Sequence, residues 1–251
     1  MIRARVKSWM ERRRPAPLDV LTPRMQLGRF RTWINAVLKR PALRQARAQA
    51  WEIYAPLSAR LTLTSPDRPS DKLGRFAHHV VHSGLVKPVR YLEIGAFEGN
   101  SAAYVHTLLE GNVRITVIDP FDDWVELAGV KMSQALERFE ANIEAVGATA
   151  AVRVLRGRSL DHLPKLIDAG EQFDIIYIDG SHAIPDVLID ATLGWQLLAR
   201  RGLMIFDDYW YRRPDLGRVF RPKLAIDGFV GAMAHEIEVV DVAHQVFIRK
   251  K

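Results

Sequence analysis

Three carboxylates stand directly after two apolar stretches in the second half of the chain. Asp179 follows the stretch Phe173 to Ile178, and the pair Asp207 and Asp208 follows Leu203 to Phe206. If the two stretches are neighbouring strands of a parallel sheet, they lie about 4.8 Å apart and these acids converge at one edge. Three acids in one place repel one another unless a cation neutralises them. Oxygen ligands favour a hard divalent cation such as Mg²⁺, and the lack of cysteine makes Zn²⁺ less favourable.

A glycine turn earlier in the chain has the pattern of a ligand-binding loop. Arg90 to Glu93 predict a short strand, Gly95 and Gly99 open a turn, and a helix follows. This order is typical of a nucleotide-binding crevice at the carboxyl edge of a parallel sheet. We expect Gly95 to let the backbone approach a ligand closely, and Asn100 or Ser101 to cap the helix. The alternative is an ordinary strand-to-helix turn whose glycines allow tight packing.

An acid also ends the next predicted strand, Val113 to Asp119, 24 residues after Gly95. A carboxylate at this position can accept hydrogen bonds from both ribose hydroxyls of a nucleoside. Asp122 and Asp123, in the following loop, are alternatives for the same role or serve as turn residues.

The elements that must position these residues alternate between strands and helices from residue 71 onward and end in two short strands. The pattern predicts an α/β fold, a doubly wound, mostly parallel seven-stranded sheet of the Rossmann-like type with one antiparallel strand. Residues 185–201 predict a helix that Gly202 ends. Arg158 and Ser159 follow the third strand, where an adenine edge would sit in such a fold, and Ser159 is expected to cap the next helix.

The basic charge of the chain belongs to its N-terminus. The chain has a net charge of +7, whereas residues 1–50 contain 13 Lys and Arg against 2 acids, which leaves a net charge of −4 for the other 201 residues. We therefore infer no nucleic-acid partner from the overall charge. Residues 1–16 are basic and amphipathic; a solvated or partner-packed helix is the first interpretation, and contact with an acidic membrane surface or RNA is the alternative.

The linker-like residues 64–70 divide the chain into two predicted parts. Residues 1–70 form a basic helical extension, which would act as a lid or as the contact surface of a homodimer, and residues 71–251 form the nucleoside-binding domain. The absence of cysteine excludes disulfides and thiol nucleophiles. No apolar run of about 18 residues and no secretory signal are found, so we expect a cytoplasmic protein.

Two sets of motifs resemble a known class of enzymes. The sequence from Tyr91 to Ser101, with Glu93 two residues before the first glycine, resembles motif I of class I S-adenosylmethionine (SAM)-dependent methyltransferases. Asp-Gly-Ser-His at 179–182 and Phe-Asp-Asp at 206–208 resemble the metal-dependent small-molecule and sugar (macrolide-type) O-methyltransferases of that class. The likeness extends over about half of the chain, from Glu93 to Tyr209, whereas residues 1–70 have no counterpart.

The resemblance implies SAM and Mg²⁺, or another hard divalent cation, as cofactors. The predicted SAM-binding residues are Glu93, Gly95, Gly99, Ser101, Asp119, Arg158, Ser159 and Asp179. The implied metal ligands are Asp179, Asp207 and Asp208, and the implied catalytic residues are Asp179 and His182.

The implied reaction is O-methylation of a small-molecule hydroxyl, on a sugar, a macrolide or a phenol. SAM carries an activated methyl group, so the protein has to position and deprotonate the acceptor. A metal lowers the pKa of a bound hydroxyl, and because Mg²⁺ does this less than Zn²⁺, a base such as His182 would help. The alternative for His182 is a histidine at a helix start that bonds a neighbour.

Three other functions compete with this one. The first is a nucleic-acid methyltransferase that uses the basic arm, although no Asn-Pro-Pro-Tyr-type motif follows the fourth strand. The others are a non-enzymatic SAM-binding or membrane scaffold, and hydroxylation chemistry on the same fold.

Two further groups of residues have open roles. Tyr209, Trp210 and Tyr211 form an acceptor wall or serve packing. Histidines 78, 79 and 82, in the predicted helix after the linker, resemble a metal cluster, but they are interpreted as helix residues that do not bind a metal.

Overall fold

The computed structural model describes residues 40–64, 71–121, 134–212 and 219–251. The predictions for residues 1–16, for residues 24–39, for linker residues 65–70 and for Asp122 and Asp123 fall outside these ranges. Among the residues that are described, no helix is both long enough and apolar enough to cross a membrane.

Seven strands form one sheet in the order β3-β2-β1-β4-β5-β7-β6. The first five strands along this order are parallel, and β7 runs antiparallel to both β5 and β6. This confirms the predicted doubly wound, Rossmann-like α/β fold. The strands are β1 (Val89–Ile94), β2 (Val113–Asp119), β3 (Val152–Arg156), β4 (Phe173–Ile178), β5 (Leu198–Phe206), β6 (Ile237–Val242) and β7 (Val246–Lys250).

Helices cover both faces of the sheet. In chain order within the described residues they are α1 (Arg40–Ser58), α2 (Asp71–Val81), α3 (Asn100–Leu108), α4 (Ala135–Ala145), α5 (Ser159–Asp168), α6 (Ile184–Leu197) and α7 (Pro222–Ala232). A short 3₁₀ helix, Thr149–Ala151, leads into β3.

Alternating side chains of the strands build two hydrophobic cores, as the pleat of a strand requires. Tyr91 of β1 and Ile175 of β4 belong to the core under α1 to α4. Leu92 and Ile176, one position later, belong to the core under α5 to α7. Because both cores need apolar side chains, the central strands are buried along nearly their whole length.

The described part of the N-terminal extension packs against helices α2 and α3 on one side of the sheet. Tyr54 of α1 is buried in the first core, where its ring stands edge-on to the ring of Tyr104 at a centroid distance of 5.9 Å. Whether the extension also acts as a lid or a dimer surface stays a prediction.

The prediction for the start of β5 was wrong. The helix before it ends at Leu197, and β5 begins at Leu198 instead of after Gly202. Gly202 lies at an irregular turn within the strand, where a Cβ would be 2.7 Å from the carbonyl oxygen of Ala199, and Arg201 has a φ of 64°. The glycine therefore allows an irregular turn within the strand and does not end a helix. A glycine in either place looks the same in the sequence.

Candidate active site

The ends of β1, β4 and β5 lie side by side at one edge of the sheet. The amide of Asp179 donates to the carbonyl of Ile94, and the amide of Asp207 donates to the carbonyl of Ile178, both at 2.9 Å. Consecutive strand ends therefore present the glycine turn and the acids of the two strand-end motifs at the same level. The structure brings these predicted groups together as the parallel topology requires.

Gly95 is needed where two loops of the protein touch. Its φ is +87°, and a Cβ at this position would lie 2.3 Å from the carbonyl oxygen of Asp179 and 2.5 Å from the Cα of Gly180. The structure thus gives close approach of the loop after β4 as one reason for this glycine, and the predicted close approach of a ligand stays a prediction. Any side chain would push apart the β1 and β4 loops that form the site.

Helix α3 starts without a side-chain cap, so the predicted capping by Asn100 or Ser101 was wrong. The N-cap residue is Gly99, in the left-handed conformation. The side-chain Nδ2 of Asn100 donates to the Tyr54 hydroxyl at 3.1 Å, and the Ser101 hydroxyl donates to the carboxyl group of Glu93. Both side chains are committed to tertiary contacts, and a local pattern does not reveal such contacts.

Glu93 is completely buried beneath the glycine turn. Burial raises the pKa of its carboxyl group to about 8, although the hydrogen bond from Ser101 acts in the opposite direction. A hydrogen bond with the Tyr91 side chain acts in the same direction as the one from Ser101. Glu93 is therefore largely protonated at neutral pH.

Asp119 organises the glycine turn through backbone amides. Its Oδ2 atom accepts from Ala96 at 2.8 Å and from Phe97 at 2.9 Å, and its Oδ1 atom accepts from Phe121 at 2.7 Å. A carboxylate has about four acceptor positions, so these bonds leave little capacity for ribose hydroxyls. The nucleoside role of Asp119 stays a prediction.

Arg158 and Ser159 follow β3 and make different contacts from those predicted. Arg158 is exposed and is the N-cap residue of α5, with no side-chain capping bond, so the predicted cap at Ser159 was wrong. The Ser159 side chain bonds Asp190 of α6, whose pKa is about 6 because burial outweighs that bond. A contact of either residue with adenine stays a prediction.

A cavity of about 290 Å³ opens between the glycine turn and the strand-end acids. Gly95, Ser101, Asp179 and Asp207 contribute to its lining. Other lining residues carry buried polar atoms that lack a hydrogen-bond partner in the described parts of the chain; these atoms are Asn100 Oδ1, the Tyr104 hydroxyl and Gln245 Oε1. Unpaired buried polar groups are costly, so the cavity is suited to a polar ligand that pairs with them.

The acid cluster, Asp179, Asp207 and Asp208, contains two different environments. One potential ligand atom each of Asp179, His182 and Asp208 lies within 4.8 Å of the others. Asp207 is held instead by protein donors: the Tyr177 hydroxyl donates to its Oδ2, and the Asp208 amide donates to its Oδ1 at 2.6 Å. The structure thus groups His182 with two of the three predicted metal ligands, and the ligand role of Asp207 stays a prediction.

Two cationic or hydrogen-bonding groups bind opposite oxygens of Asp208. His182 Nε2 lies 2.9 Å from Oδ2, and Lys72 Nζ lies 2.8 Å from Oδ1. Lys72 Nζ also lies 2.9 Å from Asp207 Oδ1. The ammonium of α2 therefore enters a cluster that the sequence assigned to a metal ion.

The electrostatics of the cluster follow from burial and these contacts. Burial, reinforced by the charges of its two acidic neighbours, raises the pKa of Asp179 well above its usual range. Burial also acts to raise the pKa of Asp208, but His182 and Lys72 lower it below the usual value. Burial opposes the charge of Lys72, yet the acids raise its pKa above 10.5, so Lys72 is an ammonium at neutral pH and not a base.

Sequence reasoning missed Lys72 and Tyr177. Tyr177 precedes Asp179 by two residues on a strand, so both side chains are on one face, and this signal was available. The Tyr177 hydroxyl lies 3.3 Å from Asp179 Oδ2. Lys72 belongs to a helix far from the motifs in sequence and carries no local signal of its role.

The aromatic residues after the acid pair take different positions. The ring of Tyr211 lies 4.3 Å from that of His182, beside the site. Tyr209 is buried and donates to Asp227 at 2.6 Å, whereas the side chain of Trp210 is 41% exposed. The three residues therefore do not form one continuous wall.

The histidines of α2 have structural partners. His79 is buried, with Nε2 3.0 Å from Asp241 Oδ2, and His82 Nδ1 lies 2.8 Å from the carbonyl oxygen of His78. Within the described ranges, the one group of ligand-type side chains close enough to hold a metal is that of Asp179, His182 and Asp208. The interpretation that histidines 78, 79 and 82 do not bind a metal stays a prediction.

The motif resemblance is confirmed by known proteins. Residues 92–209 match a family model described as a methyltransferase domain. The chain is 30% identical over 128 residues to the O-methyltransferase hkm8 of Aspergillus hancockii, an alignment that covers 51% of this chain. It covers 45% of hkm8, so this chain spans less than half the length of that relative.

Solved structures share the fold at low sequence identity. The O-methyltransferase TomG of Streptomyces achromogenes, involved in tomaymycin synthesis and determined with SAM, has a TM-score of 0.55 and 20% identity; the match covers 82% of this chain and 89% of TomG. The MycE methyltransferase of the mycinamycin biosynthetic pathway, determined with Mg and S-adenosylhomocysteine (SAH), has a TM-score of 0.55 and 18% identity; the match covers 79% of this chain and 54% of MycE. These likenesses establish the class I methyltransferase fold.

Proposed function

We propose that this chain, in which residues 92–209 carry a methyltransferase domain of the class I fold, is a SAM-dependent O-methyltransferase that acts on a hydroxyl group of a small molecule with the help of a divalent metal ion. The observation that carries the proposal is the cluster of Asp179, His182 and Asp208 beside the glycine turn and its cavity. The cluster offers hard ligands and a base at the place where a methyl donor would be held.

The cavity fits a donor with many polar groups. The glycine turn would face the nucleoside part of SAM, and the unpaired atoms of Asn100, Tyr104 and Gln245 would pair with polar groups of the ligand. SAM supplies an activated methyl group, so what remains for the protein is to orient the acceptor and to accept its proton. The SAM bound in the TomG structure supports this assignment.

The acid cluster fits a hard divalent cation. Asp179 and Asp208 would provide carboxylate oxygens, and Asp207 would add negative charge beside them. The Mg in the MycE structures supports Mg²⁺ as that cation. When bound, Mg²⁺ would lower the pKa of the acceptor hydroxyl.

His182 is proposed as the base. The Asp208 carboxylate near its Nε2 keeps a proton on that nitrogen, so Nδ1 is the ring nitrogen that accepts a proton from the substrate. Because Nε2 carries a proton, it cannot also ligate a metal. His182 therefore serves as the base, and Asp179 and Asp208 serve as the metal ligands. Tyr211, stacked beside the imidazole, limits the directions from which an acceptor approaches.

The acceptor is proposed to be a small molecule rather than a nucleic acid. Residues 51–251, which contain the site, have a net charge of −4 and would repel a polyanion. A sugar, macrolide or phenol hydroxyl carries no such penalty.

Calorimetry and a turnover assay test the proposal together. SAH and Mg²⁺ are titrated separately into metal-free protein, and SAM turnover is then followed as SAH release with a panel of phenols, sugars and macrolides. We expect the native protein and each variant to bind SAH. Mg²⁺ should give a binding heat with the native protein, and Asp208→Asn should lose both this heat and turnover. The matched control is Asp168→Asn, which removes an exposed carboxylate at the end of α5.

The possible failures separate the parts of the proposal. Absence of SAH binding would overturn the assignment of the donor and the function with it. Turnover that persists with excess chelator would overturn the metal role but leave the methyl donor. Turnover of His182→Asn equal to that of the native protein would remove the histidine from the mechanism.

A further inference from the structure

Lys72 places a positive charge among the acids that are proposed to hold the metal. Its Nζ atom lies 2.8 Å from Asp208 Oδ1 and 2.9 Å from Asp207 Oδ1, and the charge of Asp179 also acts on it. These are bonding distances for an ammonium between two carboxylates. A divalent cation at the cluster would need the same oxygens or would stand directly beside this charge.

The helix that carries Lys72 is fixed to the sheet. Arg75 Nη1 lies 2.5 Å from Asp241 Oδ2, and His79 Nε2 lies 3.0 Å from the same oxygen. The ring of Phe76 packs edge-on against that of Tyr177 at 5.7 Å. The backbone of Lys72 is therefore held in place, and its ammonium can leave the acids only by rotation of its own long side chain.

Space for that rotation exists beside the cluster. Lys72 lines the cavity of about 290 Å³, and its side chain is 25% exposed. A flexible four-carbon stem in such a position can turn its charge toward water without movement of the helix. Such a rotation would break the ion pairs of Lys72 with Asp207 and Asp208.

We propose that Lys72 is a tethered competitor of the divalent cation and sets the affinity of the acid cluster for metal. Without metal, its ammonium binds both Asp207 and Asp208 and offsets part of the repulsion among the three neighbouring acids. When a cation binds, Lys72 releases the two carboxylates, so the measured metal affinity includes the cost of breaking its ion pairs. The inference rests on the metal site of the proposed function.

Metal titration of a charge-deleted variant tests this directly. Lys72→Met keeps an unbranched apolar stem and removes the charge, whereas Lys87→Met removes an exposed lysine at the opposite end of the sheet, just before β1. After chelator treatment, Mg²⁺ is titrated calorimetrically into each protein. We expect Lys72→Met to bind Mg²⁺ about tenfold more tightly than native protein, equal to about 1.4 kcal/mol, and Lys87→Met to match the native protein.

Thermal unfolding gives a second readout that a purely structural role of Lys72 would not produce. Lys72→Met should melt at a lower temperature than native protein without metal, because three acids then lack their counter-ion. Saturating Mg²⁺ should raise its melting temperature by more than it raises that of native protein. A lysine that only packs would instead lower both melting temperatures equally.

The outcomes are distinct. If Lys72→Met binds Mg²⁺ with native or weaker affinity while the native protein binds it, the competition is overturned and the metal site stands. If neither protein binds Mg²⁺, both this inference and the metal role in the proposed function are overturned. SAH binding, measured on the same samples, reports separately on the methyl donor.

Discussion

Replacement of Glu93 by Gln should make the protein more stable at alkaline pH and leave its stability near pH 5 almost unchanged. The carboxyl group is completely buried, and its pKa rises from 4.5 to about 8, mainly because of burial. Between these two values the unfolded chain releases a proton that the folded chain retains. Stability must therefore fall as the pH rises from 4.5 to 8 and stay level above it.

The size of the effect follows from the pKa. One pKa unit corresponds to about 1.4 kcal/mol, so Glu93 removes up to about 5 kcal/mol of stability at pH 8 and above. Gln has the same shape as the protonated acid and keeps an oxygen for the hydrogen bond from Ser101. It cannot ionise, and the loss disappears in the variant.

Urea unfolding of both proteins without ligand, at pH values from 5 to 9, measures the difference. The free energy of unfolding of Glu93→Gln minus that of native protein should grow with pH by about 1.4 kcal/mol per unit and then reach a plateau. Other titrating groups are common to both proteins and cancel in the difference. If the difference in unfolding free energy is constant from pH 5 to 9, the carboxyl group of Glu93 is not kept protonated in the folded protein and the reasoning is refuted.

Two further predictions concern the loops and the anchor of α2. Gly95→Ala should lower the free energy of unfolding by about 3 kcal/mol, because of left-handed strain and the clash with the Asp179 carbonyl. The control Gly170→Ala, at a φ of +69° with no atom near the added Cβ, should lower it by about 1 kcal/mol. Equal losses of the two variants in urea unfolding would contradict the proposed loop contact. Asp241→Asn should lower the free energy of unfolding by about 2 kcal/mol, because it removes the carboxylate that binds the Arg75 guanidinium and the buried His79 ring. The exposed Asp168→Asn should cause almost no change. A loss below 1 kcal/mol for Asp241→Asn would show that α2 is held mainly by apolar packing.

The positions of the strand-end residues could be predicted from the sequence because they depend on local pattern and topology. Apolar stretches that end in an acid or a glycine identify parallel strands, and parallel strands place their carboxyl ends at one edge. The sequence signal therefore sufficed to bring Asp179 and Asp207 next to the turn at Gly95. It also identified the methyltransferase resemblance, since those motifs are contiguous.

Contacts between distant segments were not predictable in this way. Asn100 and Ser101 look like helix caps, but one bonds α1 and the other bonds Glu93 of β1. Asp119 looks like a free carboxylate, yet it accepts three backbone amides from two loops. Asn100 and Ser101 are residue types with two uses that were given the local one, because the competing partner comes from another part of the chain.

Asp207 and Asp208 show the same limit within one motif. As neighbours in the sequence they have equal claims to a metal ion, but the backbone separates them, since Asp208 has a φ of 50°. The Asp207 side chain is 3% exposed and bonded to buried donors, whereas that of Asp208 is 30% exposed and meets His182 and Lys72. Under the proposed function, a cation at Asp208 would compete with the contacts of His182 and Lys72, whereas a cation at Asp207 would also cost the buried hydrogen bond from Tyr177. Lys72 bridges the two acids, so its ion pairs are the contacts that the proposed metal binding would have to break at both of them.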